Sequence, residues 1–131
     1  MVGQVLMSRH KCVLVVDDND DIRESLMGFL EDHGFSTAGA TDGRDALAKL
    51  VASGAPPCLI ILDLMMPNMD GRAFREAQMR DPGLARIPVV VVSAYKDIPT
   101  LIDGLEVRDH LPKPLDLDAL LDLVREHCFA C

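Results

Sequence analysis

The chain reads as an α/β protein, a doubly wound parallel sheet with helices on both faces. Three features of the sequence lead there. Short runs of aliphatic residues recur along it, too continuously apolar for a sheet with one wet face. Each run is followed by a stretch with apolar residues at helical spacing. Two of the runs, Val13-Leu14-Val15-Val16 and Leu59-Ile60-Ile61-Leu62, end directly on acids, Asp17-Asp18 and Asp63.

The elements follow in order. Cys12 to Val16 is the first strand. Asp20 to His33 is a helix with Ile22, Leu26, Phe29 and Leu30 on one face, and Gly34 stops it. Phe35 to Ala40 is a weaker strand. Asp42 caps a helix carrying Ala46, Leu47, Leu50 and Val51, closed by Gly54 and the Pro56-Pro57 turn. Leu59 to Asp63 is the third strand. Asp70 to Arg80 is a helix with Phe74, Ala77 and Gln78 near its inner face. Ile87 to Ser93 is the fourth strand, and a short helix falls between Asp97 and Leu105. Val107 to Leu111 is a weak fifth strand. Asp116 opens a last helix with Leu117, Leu120, Leu121 and Val124 at helical spacing. Strands alternating with helices imply a parallel sheet covered on both sides.

The 131 residues suit one domain with one core. We expect a loose extension over 1–10, a domain over 11–128 and a tail over 129–131. Apolar residues make up 49% and charged residues 26%, a globular composition. The formal charge of −8 argues against direct nucleic-acid binding, which needs cations to neutralise phosphates. No apolar run approaches the roughly 20 residues of a membrane span, so membrane insertion is not expected. Met1 to Lys11 has no long apolar h-region and no convincing small-residue cleavage site, so a secretory signal is not expected.

Of the four cysteines, Cys12 and Cys58 stand at the starts of buried strands and read as small core residues. Cys128 and Cys131 form a C-x-x-C with neither a second ligand pair nor a following helix, and read as an incidental tail. This usage suggests a reducing, cytoplasmic location.

In open parallel α/β sheets, ligands bind beyond the carboxyl ends of the strands. Asp17, Asp18, Asp63, Ser93 and Lys113 all stand at or just past such ends. Each alone has an ordinary explanation: a strand-end Asp caps helices, Ser93 suits a turn, and Lys113 suits a solvated surface. Their conjunction points to a functional site. Three carboxylates meeting at one sheet end repel one another unless a cation or proton sits among them. That is the chemistry of a divalent-metal site around a reactive aspartate.

These residues resemble the receiver domain of two-component response regulators. The resemblance rests on Val15-Val16-Asp17-Asp18, on Asp63 with Met66-Pro67-Asn68-Met69-Asp70-Gly71, on Ser93-Ala94 and on Lys113-Pro114. It covers about Lys11 to Glu126. It implies five strands in the flavodoxin-like order 2-1-3-4-5 and a cis Lys113–Pro114 bond. It implies that Asp63 is the phosphoacceptor, a carboxylate nucleophile toward phosphohistidine. Asp17 and Asp18 would then hold Mg²⁺, or Mn²⁺ in its place, together with Asp63 and the Met65 backbone carbonyl. Lys113 would give a point charge, and Ser93 a hydroxyl, to the phosphoryl group. The implied partners are a histidine kinase or histidine phosphotransferase and a downstream protein, with the chain a monomer or weak dimer.

The chain departs from the family pattern in two places. The switch position three residues before the lysine, usually Tyr or Phe, is His110, whose imidazole is smaller and more polar. The segment from Ser93 to His110 is short by about two residues, contains Pro99, and has Glu106 where glycine is common. A short or irregular fourth helix starting near Pro99 is expected, since proline suits only a first turn.

The leading expectation is a stand-alone receiver whose phosphorylation switches protein–protein interaction, with no effector domain following. A second reading is a receiver-fold binding module that has lost the switch. A third, a Mg²⁺-dependent phosphohydrolase with an aspartyl-phosphate intermediate, is disfavoured because Met65 stands where such enzymes place a second carboxylate.

Overall fold

The computed structural model describes residues 12–52, 55–66, 69–94 and 98–128. The expected extension over 1–10, Gly54, Pro67, Asn68, Asp97 and the tail with Cys131 lie outside these residues.

The elements are β1 (Cys12–Val16), α1 (Asp20–Asp32), β2 (Ser36–Ala40), α2 (Gly43–Ala52), β3 (Leu59–Asp63), α3 (Gly71–Arg80), β4 (Val89–Ser93), α4 (Ile98–Leu101), β5 (Asp109–Pro112) and α5 (Leu117–His127). The five strands are parallel in the order β2-β1-β3-β4-β5. Side chains alternate across each strand. Leu14, Val16, Ile60, Leu62, Val89 and Val91 pack under α2, α3 and α4 through Ala46, Leu50, Phe74 and Ile98. Val13, Val15, Leu59, Ile61, Val90 and Val92 pack under α1 and α5 through Leu26, Leu30, Leu120 and Val124. Each fully buried aliphatic side chain contributes about 1.5–3 kcal/mol, and β1, β3 and β4 together supply twelve buried aliphatic side chains. Among the described residues, no helix is long and apolar enough to cross a membrane.

Local chemistry explains the boundaries. Asn19 caps α1 by accepting from the Ile22 N–H, and Gly34, at φ 91°, ends it as expected. Asp42, Asp70 and Asp116 accept N–H bonds from the first turns of α2, α3 and α5. β2 starts one residue later than expected because the Phe35 N–H still bonds the Leu30 carbonyl in the exit of α1. β4 starts at Val89 rather than Ile87 because Pro88 has no N–H for a ladder.

Two expectations need correction. The fifth strand, expected over Val107 to Leu111, lies instead at Asp109–Pro112. The cause is Glu106, which sits at φ 53°, a left-handed conformation that favours glycine. That turn holds the chain away from β4 until Arg108, whose N–H bonds the Val89 carbonyl. Glu106→Gly is therefore expected to raise the unfolding free energy by about 1 kcal/mol, read as a higher urea midpoint at unchanged slope.

The second correction concerns the cysteines. Cys58, expected as a small core residue, is bonded to Cys128, expected to lie in an incidental tail. The start of β3 lies beside the end of α5, with Cα atoms 5.4 Å apart although the residues are 70 positions apart. In the chain-entropy account, closing a loop of that length stabilises the fold by about 4 kcal/mol. Cys12 is the free cysteine among the described residues, and burial pushes its thiol above the ordinary range.

Candidate functional site

The parallel arrangement brings the carboxyl ends of β1, β3, β4 and β5 to one edge of the sheet. β1 delivers Asp17 and Asp18, and β3 delivers Asp63. One carboxylate oxygen from each of the three lies within 4.8 Å of the others. Asp17 and Asp63 are buried while Asp18 is exposed, so the cluster opens to solvent on the Asp18 side.

Each acid is held by its neighbours. The Asp17 N–H donates to the Ala40 carbonyl at 3.1 Å. Its Oδ1 accepts the Asn19 N–H at 2.9 Å, and its carbonyl accepts from Arg23 Nη1 at 2.9 Å. Asp63 Oδ1 accepts the Met65 N–H at 3.2 Å. Lys113 Nζ lies 3.1 Å from Asp17 Oδ2 and 3.5 Å from Asp63 Oδ2. Its backbone N–H donates to the Ser93 carbonyl at 2.9 Å, and the Lys113–Pro114 bond is cis. One lysine thus faces a cluster of three acids.

Burial pushes the Asp63 carboxyl above its ordinary range. Lys113 opposes this, the Asp17 charge reinforces it, the Met65 N–H opposes it and the Asp18 charge adds to it. A small site with excess negative charge and a buried carboxylate favours a divalent cation over an anion.

The start of α3 packs tightly against the backbone at the end of β3. The Gly71 N–H bonds the Leu64 carbonyl at 2.9 Å. A Cβ at Gly71 would lie 2.6 Å from the Asp63 carbonyl oxygen and 2.7 Å from Leu64 Cα. Only glycine lets the start of α3 approach the Asp63 backbone this closely.

The remaining named residues sit nearby. Ser93 is buried at the end of β4. His110 is half-buried in β5 and pairs with Val91, two residues before the Ser93–Pro112 pair. Because i and i+2 share a face, His110 and Ser93 lie on the same side of the sheet, toward α4. Met65 is about half exposed just past β3.

Sequence reasoning missed two sets of residues. Asn19 and Arg23 fix Asp17, and the asparagine before a helical pattern was a readable cap signal. Arg72 and Arg75 on α3 reach across to the segment around α4. Arg72 donates to the Leu101 and Asp103 carbonyls at 2.8 and 3.2 Å. Buried Arg75 donates to the Leu105 and Glu106 carbonyls at 2.8 and 3.0 Å and to Gln78 Oε1 at 2.9 Å. Gln78 in turn donates to the Leu84 and Ile87 carbonyls. Nothing in the local pattern of α3 announces these long-range contacts.

Comparison with known proteins agrees with this architecture. The profile of the response regulator receiver domain matches residues 13–125. Response regulator MprA of Mycolicibacterium vanbaalenii is 40% identical over 115 residues, 86% of this chain and 48% of that protein. The chain therefore spans about half the length of the curated relatives it matches. A response regulator receiver protein from Pseudomonas putida has a TM-score of 0.82 at 34% identity, covering 88% of this chain and 95% of that one. The signal receiver domain of a histidine kinase from Syntrophus aciditrophicus has a TM-score of 0.80 at 31% identity, covering 90% and 89%. Sheet order, acidic cluster and these matches together make the chain a member of the response regulator receiver domain family of two-component systems.

Proposed function

We propose that the chain is a cytoplasmic phosphoacceptor. Asp63 takes a phosphoryl group from the phosphohistidine of a histidine kinase or histidine phosphotransferase, and the new anion changes which protein the chain binds. The observation that carries this is the convergence of Asp17, Asp18 and Asp63 within 4.8 Å, with Lys113 Nζ against two of them.

The acids fit a hard divalent cation. The carboxylates of Asp17, Asp18 and Asp63 would hold it, with the Met65 carbonyl as a further oxygen. When bound, Mg²⁺ or Mn²⁺ supplies positive charge that offsets repulsion between Asp63 and the donor's phosphoryl oxygens.

The chain's own residues account for the rest. Asp63, as the carboxylate, attacks phosphorus in line. A P–O bond forms, the P–N bond breaks, and the donor imidazole leaves with the electron pair. Lys113 exchanges its contact with Asp63 for the new phosphoryl oxygens, being already positioned by its N–H bond to the Ser93 carbonyl. The Ser93 hydroxyl donates to the same anion. His110, on the Ser93 face of β5, reports that movement toward α4. These contacts bias two pre-existing conformations, and the chain accepts one phosphoryl group rather than turning over a substrate.

Incubation with a small phosphodonor and Mg²⁺ is expected to label one site per chain. Chelation or Asp63→Asn should each reduce labelling at least about 100-fold, read by intact mass. Undiminished labelling of the asparagine variant would remove Asp63 from the mechanism.

A further inference from the structure

The end of the sheet opposite the acidic cluster carries chemistry that phosphoryl transfer does not use. Cys58 stands just before β3, whose far end is Asp63, and is bonded to Cys128 at the end of α5. Cys128 is fully buried, and Cys58 is partly exposed. Cys58 lines an open cleft of about 370 Å³ together with Pro56, Pro57, Arg86, Pro88 and His127. The permanently charged Arg86 guanidinium favours an anion there. Cys58 Sγ also lies 3.0 Å from the Cys12 carbonyl oxygen. A reduced Cys58 thiol would find that acceptor already in place, so the fold accommodates both the bonded and the open state.

We propose that Cys58 and Cys128 form a reversible thiol–disulfide exchange site, opened by dithiol reductants entering the cleft and closed by low-molecular-weight disulfides. The inference rests on the phosphoacceptor reading above and not on cysteine usage: an acceptor of histidine-kinase phosphoryl groups works in the reducing cytoplasm, where a disulfide is a transient, redox-responsive bond.

The chemistry balances. A reductant thiolate attacks Cys58 Sγ, the accessible sulfur. A mixed disulfide forms, the Cys58–Cys128 bond breaks, and Cys128 leaves as a thiolate that takes a proton from solvent. The reductant's second thiolate attacks its own sulfur in the mixed disulfide and releases Cys58, which is protonated and donates to the Cys12 carbonyl. Two electrons pass from the dithiol, which ends as a disulfide. In the closing direction Cys58 thiolate attacks a small disulfide such as oxidised glutathione, and Cys128 then displaces the glutathione thiolate. The Asp63 end of β3 is untouched in either direction.

The test uses the full chain, folded, opened in buffers of graded reduced-to-oxidised dithiothreitol ratio and closed with oxidised glutathione, with rapid alkylation and peptide mapping by mass spectrometry. The expected result is a two-electron titration of the Cys58–Cys128 link, reversible in both directions. Cys128→Ser should leave Cys58 forming a glutathione adduct roughly ten-fold or more faster than Cys128 does in Cys58→Ser, because only Cys58 faces the cleft. A bond that opens only after unfolding in urea would overturn the proposal, as would oxidation that links Cys128 to Cys131 instead. Asp63 labelling by a small phosphodonor is measured on the same samples. A normal titration without labelling refutes the phosphoacceptor reading alone; normal labelling with a bond that does not titrate refutes the exchange site alone.

Discussion

Gly71→Ala is expected to lower the unfolding free energy by about 3 kcal/mol and to slow phosphodonor labelling of Asp63 by about 100-fold. The added methyl would meet the Asp63 carbonyl oxygen at 2.6 Å and Leu64 Cα at 2.7 Å. Both are backbone atoms, so no side-chain rotation relieves the clash. The start of α3 must move off β3, and the carboxylate moves with its own peptide. Gly28 is the control. A Cβ there meets nothing within 4 Å, so Gly28→Ala in the interior of α1 should stabilise the fold by roughly 0.5–1 kcal/mol and leave labelling unchanged. Urea unfolding and the initial rate of labelling measure both effects. Equal behaviour of the two variants would mean that the approach at Gly71 does not position Asp63.

The second large effect is linked to pH and metal. Burial raises the Asp63 carboxyl above its ordinary value of 3.8, and Lys113 only partly opposes this. Between 3.8 and the raised value, the unfolded chain has lost this proton while the folded chain still holds it. The native state then binds more protons, so stability falls as pH rises through that interval. Below it the penalty is absent, and above it the penalty is constant. Metal-free Asp63→Asn escapes the penalty. Its urea midpoint should match that of the original chain at the acid end, exceed it increasingly as pH rises through that interval, and keep a constant lead above it. Mg²⁺ should reverse the order. At a hundred times its dissociation constant it adds about 2.7 kcal/mol to a chain that binds it only when folded, and far less to the asparagine variant. A midpoint gap that shrinks with rising pH in chelator would contradict the burial argument.

Much of this was legible because it is local or periodic. Continuous aliphatic runs placed β1, β3 and β4 to within two residues, since strands buried on both faces cannot carry polar alternation. The capping acids Asp42, Asp70 and Asp116 announced their helices for the same local reason. Asp17, Asp18 and Asp63 were readable as a group because parallel strands must end together. β5 slipped because its start depends on the turn at Glu106, which Arg75 holds from another helix. The Cys58–Cys128 bond went unread because 70 residues separate partners that only the folded sheet makes adjacent. Arg75 went unread because a guanidinium is buried only where distant carbonyls already wait for it.

The grip of α3 on the neighbouring segment bears on how this chain can be recombined with its relatives. α4 is a single turn of four residues, too short to form unaided, and Arg72 and Arg75 hold the backbone around it by four carbonyl bonds. A chimera that imports this stretch from another receiver, yet keeps a host helix lacking both arginines, imports a sequence without its anchor. The transferable module is the helix and the segment together.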